Sequence, residues 1–217
     1  MGVRILIDRE AFDRLAELDL SAGLIERVVR RADAEANICT ELDPPIMEGL
    51  TRWARTNRFL REELIPAGWR FDNPRNLPRT IHPSGDFAIV ATTGDELTGL
   101  EDAIPATKYL KGDATVRAIE TNEQLALDFG DFDLAHDASQ ADGSGDLLTW
   151  LLLYHADEEG FRVELSLPDA IADGRIISWA ERIILPVFPR LDDSLTNPVA
   201  PGRDDLDEDV VVEVTRR

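Results

Sequence analysis

The chain has 217 residues, 43% of them apolar, and a formal net charge of −20. That is long enough for one sizeable core or two small ones, and too apolar for wholesale disorder. A single cysteine, Cys39, excludes an intrachain disulfide and a cysteine-rich zinc site. No apolar run approaches the roughly 20 residues that span a bilayer.

The opening "MGVRILIDREAF" meets Asp8 too soon to be a signal-peptide core, and Leu6 stands where a myristoylation motif wants Ser or Thr. A cytoplasmic protein is the expectation. The charge is unevenly placed: residues 1–80 carry 13 basic and 14 acidic side chains, residues 81–217 carry 10 and 29. A field of that sign repels phosphate backbones and argues against direct nucleic-acid binding by the later region. It suits a basic protein partner.

Helices are expected first. Asp8 is placed to cap a short helix with Phe12, Leu15 and Ala16 on one face. Ser21 caps a second, with Leu24, Val28, Ala32 and Ala36 four apart; Cys39 continues that row as a small core residue. Asp43 before Pro44 signals a third, whose seam of Ile46, Leu50, Trp53, Asn57, Leu60 and Leu64 ends at Pro66 and Gly68. Asn57, polar among Leu and Trp, is the kind of residue that fixes register or oligomeric state, and a homodimer is compatible with it.

Beyond Gly68 the three prolines of "WRFDNPRNLPRTIHPSG" exclude a helix. "DFAIVATT" reads as a buried strand, and residues 94–113 as mostly loop. Residues 114–129 fit helix or strand. In the acidic stretch 127–148, six aspartates and His136 suggest a metal loop. The calcium pattern fails where it can be checked, because Leu147 and Leu153 stand where Gly and Glu belong. No metal site is assigned there; a solvated connection is expected. "LLTWLLLYH" and "FRVELSLP", joined by Ala-Asp-Glu-Glu-Gly, form the best hairpin in the chain. Residues 175–185 satisfy both periods, and their β-branched content favours strand. Residues 192–217 read as an acidic linker ending in a short strand, "VVVEV".

The expected class is α+β: a helical region over 1–67, then a mainly antiparallel sheet over 68–191 with a hairpin near 147–168, and the acidic tail. The three histidines lack metal-ligand spacing. There is no nucleophile elbow, phosphate loop or dinucleotide fingerprint, so neither a catalytic residue nor a cofactor is assigned. The positive candidate is arginine. Arg52, Arg55, Arg58 and Arg61 recur every three residues on the third helix as an interaction helix. Arg70, Arg75 and Arg79 follow with His82 as an anion-binding loop, since guanidinium groups grip carboxylate or phosphate bidentately. Pairing of these arginines with acids of the same chain is the competing expectation.

Two functional readings follow. The first is a non-catalytic intracellular interaction or regulatory protein. It acts through segregated charge on a protein partner, for instance as an acidic decoy of a nucleic-acid-binding protein. The second is an anion- or nucleotide-binding protein or enzyme using the loop at residues 70–82.

Overall fold

The computed structural model describes residues 2–109, 111–129 and 147–190. Three helices come early: α1 (Asp8–Glu17), α2 (Ala22–Ala36) and α3 (Met47–Leu64). Ser21 caps α2 as expected, its hydroxyl accepting from the Leu24 N–H at 3.2 Å. Asp8 does not cap α1; it is the first helical residue, and the face turned inward carries Ala11, Arg14 and Leu15 while Phe12 lies exposed. Asp43 does not cap α3 either. Its carboxylate accepts from the Thr40 N–H at 2.8 Å, closing a turn that delays the helix to Met47.

The strands are β1 (Arg4–Leu6), β2 (Arg70–Asp72), β3 (Arg79–Ile81), β4 (Phe87–Thr93), β5 (Leu148–Ala156), β6 (Gly160–Ala172), β7 (Arg175–Ile184) and β8 (Phe188–Pro189). They form one sheet in the order β1-β7-β6-β5-β4-β3-β2, with β8 beside β6. The α+β class stands, but the sheet is mixed rather than mainly antiparallel: β1 runs parallel to β7 and β4 parallel to β5. The β4–β5 pairing is parallel because of α4 (Asp113–Phe129), a helix where the sequence fits two readings. Strands joined by a crossover helix run parallel; a tight turn would have made them antiparallel. The β5–β6 hairpin lies where its sequence places it, with Ala156 opposite Phe161. A second hairpin joins β6 to β7 through Asp173 and Gly174, whose φ values of 50° and 72° are what a two-residue Asp-Gly turn requires.

The sheet is covered on both faces. Alternate residues of β5 divide between them: Trp150, Leu152 and Tyr154 join Leu15, Ile25, Val28, Leu60 and Leu64 in the core beneath α1–α3. Leu151 and Leu153 join Ile119 and Trp179 in a smaller cluster beneath α4. That double burial is why "LLTWLLLYH" reads as a continuous apolar run.

Two asparagines fasten the helices to the sheet. The Asn57 amide of α3 donates to the Ala91 carbonyl at 3.1 Å and accepts from the Ala91 N–H at 3.3 Å. The sequence places Asn57 as a register or oligomer determinant; here it satisfies the β4 backbone where β3 has already ended. Asn122 of α4 serves Thr149 likewise and also donates to the Pro168 carbonyl, filling the irregular register of β6.

Candidate functional site

Each arginine of α3 has a partner within the chain. Arg52 bridges Asp33 and Glu48, and burial notwithstanding, hydrogen bonds and charge from those acids raise its pKa. Arg55 meets Glu35, and Arg58 meets Glu62 at 2.7 Å. Hydrogen bonds from Arg58 and then Arg31 hold the Glu62 carboxyl below its ordinary range. Arg61 donates to the carbonyls of Asp72 and Arg79 and to Asn73. The helix that looked basic in sequence is thus neutralised by acids of α2 and of α3 itself.

The loop at 70–82 separates its four candidates. Arg79 forms a two-point pair with Asp72 across β2 and β3, and hydrogen bonds from that carboxylate raise its pKa. Arg75 stands exposed beside a groove of about 530 Å³ formed with Asn76, Leu77 and the first residues of α4. Arg70 and His82 both lie near the β3–β4 turn. The Arg70 guanidinium lies over Gly85, with Nη2 3.7 Å from where a β-carbon on that glycine would sit. The His82 ring stacks on Phe87 at 4.6 Å and is edge-on to Trp69. Its Nε2 is 3.0 Å from Asp19 and its Nδ1 is 2.7 Å from the Ser84 hydroxyl.

Among the described residues, the three most exposed large apolar side chains lie at the tip of the α2–α3 hairpin, with Leu50 beside them. Ile38 is 74% exposed, Leu42 92%, Ile46 72% and Leu50 46%. The seam expected to run the whole length of α3 therefore divides. Asn57, Leu60 and Leu64 are buried against the sheet, while Ile46 and Leu50 extend past its edge into solvent. Beside them Cys39, Thr40, Glu41, Asp43, Pro44, Pro45 and Glu48 line a groove of about 350 Å³. Cys39 is only half-buried, 3.8 Å from the Thr51 hydroxyl, because α2 ends at Ala36 before the apolar row reaches it. Residues 38–51 hold three acids and no basic residue. The signal was present in the sequence: Ile38, Leu42, Ile46 and Leu50 recur every four residues across two prolines that no helix could span.

A third feature is Lys111, just ahead of α4. Its ammonium donates to the Thr92 hydroxyl at 2.7 Å, and burial lowers its pKa to about 8. Among the described residues no carboxylate pairs with it.

No group of three or more His, Cys, Asp or Glu is gathered for a metal ion among the described residues, and no helix there is long and apolar enough to cross a membrane. Most of the acidic stretch, residues 130–146, and the tail 191–217 lie outside the described residues. Set against family models, curated proteins and solved structures, the chain matches none.

Proposed function

We propose that the chain is an interaction protein that docks a partner on the α2–α3 tip, the partner presenting apolar side chains flanked by lysine or arginine. The observation that carries this is the run Ile38, Leu42, Ile46 and Leu50, left in water beside an acid-lined groove. Isolated exposed apolar residues are ordinary, but a contiguous group rimmed by charge marks a binding surface. Burying four such side chains gains roughly 6–12 kcal/mol gross, against an association cost of about 4–15 kcal/mol. The apolar tip alone therefore supports a modest complex at best, and charge must add to it. Glu41, Asp43 and Glu48 supply that locally, and the −19 carried by residues 81–217 supplies the long-range attraction that raises association rates with a basic partner. Occupying a nucleic-acid-binding protein as an acidic decoy is one form this takes, in a cytoplasmic setting. The anion-binding alternative has less support, since Arg79 is held by Asp72 and Arg75 stands at a separate groove.

The test is photo-crosslinking from position 42 in the native host, with the captured segment identified by mass spectrometry. One partner segment combining apolar and basic residues is expected, its capture reduced by salt and lowered at least tenfold by Ile46→Glu with melting unchanged. Crosslinks to a second copy of the chain, or capture that Ile46→Glu leaves intact, would overturn the proposal.

A further inference from the structure

The β3–β4 turn holds a directed hydrogen-bond relay that the docking surface does not use. It begins with a backbone constraint. The Ser84 N–H points at His82 Nδ1 at 3.2 Å, and a backbone N–H can only donate. Nδ1 is therefore an acceptor, and the neutral ring carries its proton on Nε2, which donates to Asp19 at 3.0 Å. The Ser84 hydroxyl accepts from the Asp86 N–H at 3.3 Å, so its own proton faces Nδ1 at 2.7 Å and shares that nitrogen's single lone pair with the longer contact from the Ser84 N–H. The order is hydroxyl, imidazole, carboxylate, with each donor aimed at the next acceptor.

Separate parts of the fold bring these groups together. Asp19 ends the α1 segment in a left-handed conformation, φ 55°, which Asp tolerates better than most residues. That turns its carboxylate toward a histidine 63 residues away. His82 cannot swing freely, because Phe87 and Trp69 clamp its ring. Ser84 stands exposed at the head of the turn. The Arg70 guanidinium lies over Gly85, one residue on.

We propose that Ser84, His82 and Asp19 form an acyl-transfer site that hydrolyses small carboxylic esters carrying an anionic group, with Arg70 binding that anion. Such a relay is defined by geometry and roles, not by chain order; here Nδ1 faces the serine and Nε2 the carboxylate. Ser84 Oγ attacks the ester carbonyl while its proton passes to Nδ1. The carbon–oxygen bond to the alcohol breaks, and His82 returns the proton to the leaving oxygen. Water then attacks the acyl-serine with His82 as base, releasing the acid and restoring the Ser84 hydroxyl. Ester and water give acid and alcohol with no other reactant. Asp19 is a positioning residue, holding the ring in the tautomer that accepts from serine.

The experiment uses the intact chain and a fluorophosphonate probe, whose phosphorus–fluorine bond breaks as Ser84 Oγ bonds to phosphorus and fluoride leaves. A single adduct on the peptide containing Ser84 is expected. With 4-nitrophenyl acetate and the 4-nitrophenyl hemiester of succinate as substrates, His82→Gln should cut turnover at least about 100-fold. Asp19→Asn should lower kcat with KM unchanged, and Asp19→Glu should restore part of it. Arg70→Ala should raise KM for the hemiester alone. The adduct is read on the unaltered chain, so the result does not depend on a variant folding. No adduct at Ser84 after prolonged labelling, or hydrolysis that Ser84→Ala leaves unchanged, would show that the relay only staples the turn. Either outcome is independent of docking at the helix tip.

Discussion

The two faces of the sheet are covered by different means. On one, α1–α3 contribute amphipathic stripes whose contact is mainly apolar, from Leu15 and Val28 to Leu60 and Trp150, with the buried Arg14–Glu181 pair and Asn57 as its polar fasteners. On the other, α4 covers part, and among the described residues the irregular segment 94–109 packs beside it. A helix satisfies its own backbone and needs only side chains to pack; a loop brings unpaired N–H and C=O groups that must be met where water is excluded. The second face meets them with buried polar side chains. Glu164 is 0% exposed and accepts from the Gly99 N–H, Ser166 and Arg182. Arg182, 1% exposed, donates to the carbonyls of Leu100 and Ala103. Arg162 reaches the Glu96 carbonyl, and the Trp179 indole reaches that of Pro105. Regular covering needs fewer polar contacts; irregular covering needs more, because the loop carbonyls of Glu96, Leu100, Ala103 and Pro105 have to be met by side chains.

The largest expected effect breaks that fastening. Arg182→Met leaves Glu164 charged and buried with two loop carbonyls unpaired, at a cost of about 3–5 kcal/mol. Urea unfolding measures the loss, and hydrogen exchange should localise it to residues 95–107. Exchange that stays protected there would show the loop to be held by packing instead. Next come the two asparagines, a matched pair on opposite faces. Asn57→Leu unpairs the Ala91 N–H and carbonyl and loses a bond to the Trp53 carbonyl of its own helix, whereas Asn122→Leu unpairs Thr149 and the Pro168 carbonyl. Each unmet buried group costs about 1–3 kcal/mol, so Asn122→Leu should melt the lower of the two. Equal melting temperatures would mean the second face relaxes around the loss.

The same contrast explains what was legible in the sequence. The first face was, because α2 and the C-terminal half of α3 keep a clean apolar period and Ser21 and Gly68 mark their ends. The second was not. The inward face of α4 is Thr115, Ile119 and Asn122, with Ala118 beside them, and two polar members dilute the period that identifies a helix. With α4 ambiguous, the parallel pairing of β4 and β5 could not follow, which is why the sheet was expected to be mainly antiparallel. β1 spans three residues, too few for any period to show. The Asp173-Gly174 hairpin was signalled by its dipeptide, but the irregular register at Pro168 and Ala170 hid the strand leading into it. The exposed α2–α3 tip was visible as surplus: an apolar recurrence longer than the surface it had to cover. Contacts between residues 63 positions apart, such as Asp19 with His82, leave no local trace at all.

The smallest effect concerns Lys111, the one cation fastening the second face without a carboxylate partner among the described residues. Its pKa is lowered by burial from 10.5 to about 8. Below about pH 8 the amine is charged in both folded and unfolded chains, and the cost of burying that charge is fully present. Between about 8 and 10.5 the unfolded chain binds more protons than the folded one, so stability rises with pH. Above that window both forms are neutral and the cost is gone. Lys111→Met removes the charge, so it should stabilise the chain at pH 7 by about 1–2 kcal/mol, discounted for the partial exposure of the side chain. It should also flatten the rise between pH 8 and 10.5, where wild type and variant converge. Melting curves across that range read both. A variant that is less stable at pH 7 would mean that the Thr92 hydrogen bond outweighs the buried charge, and that even a lone cation on this face contributes more by fastening than it costs by desolvation.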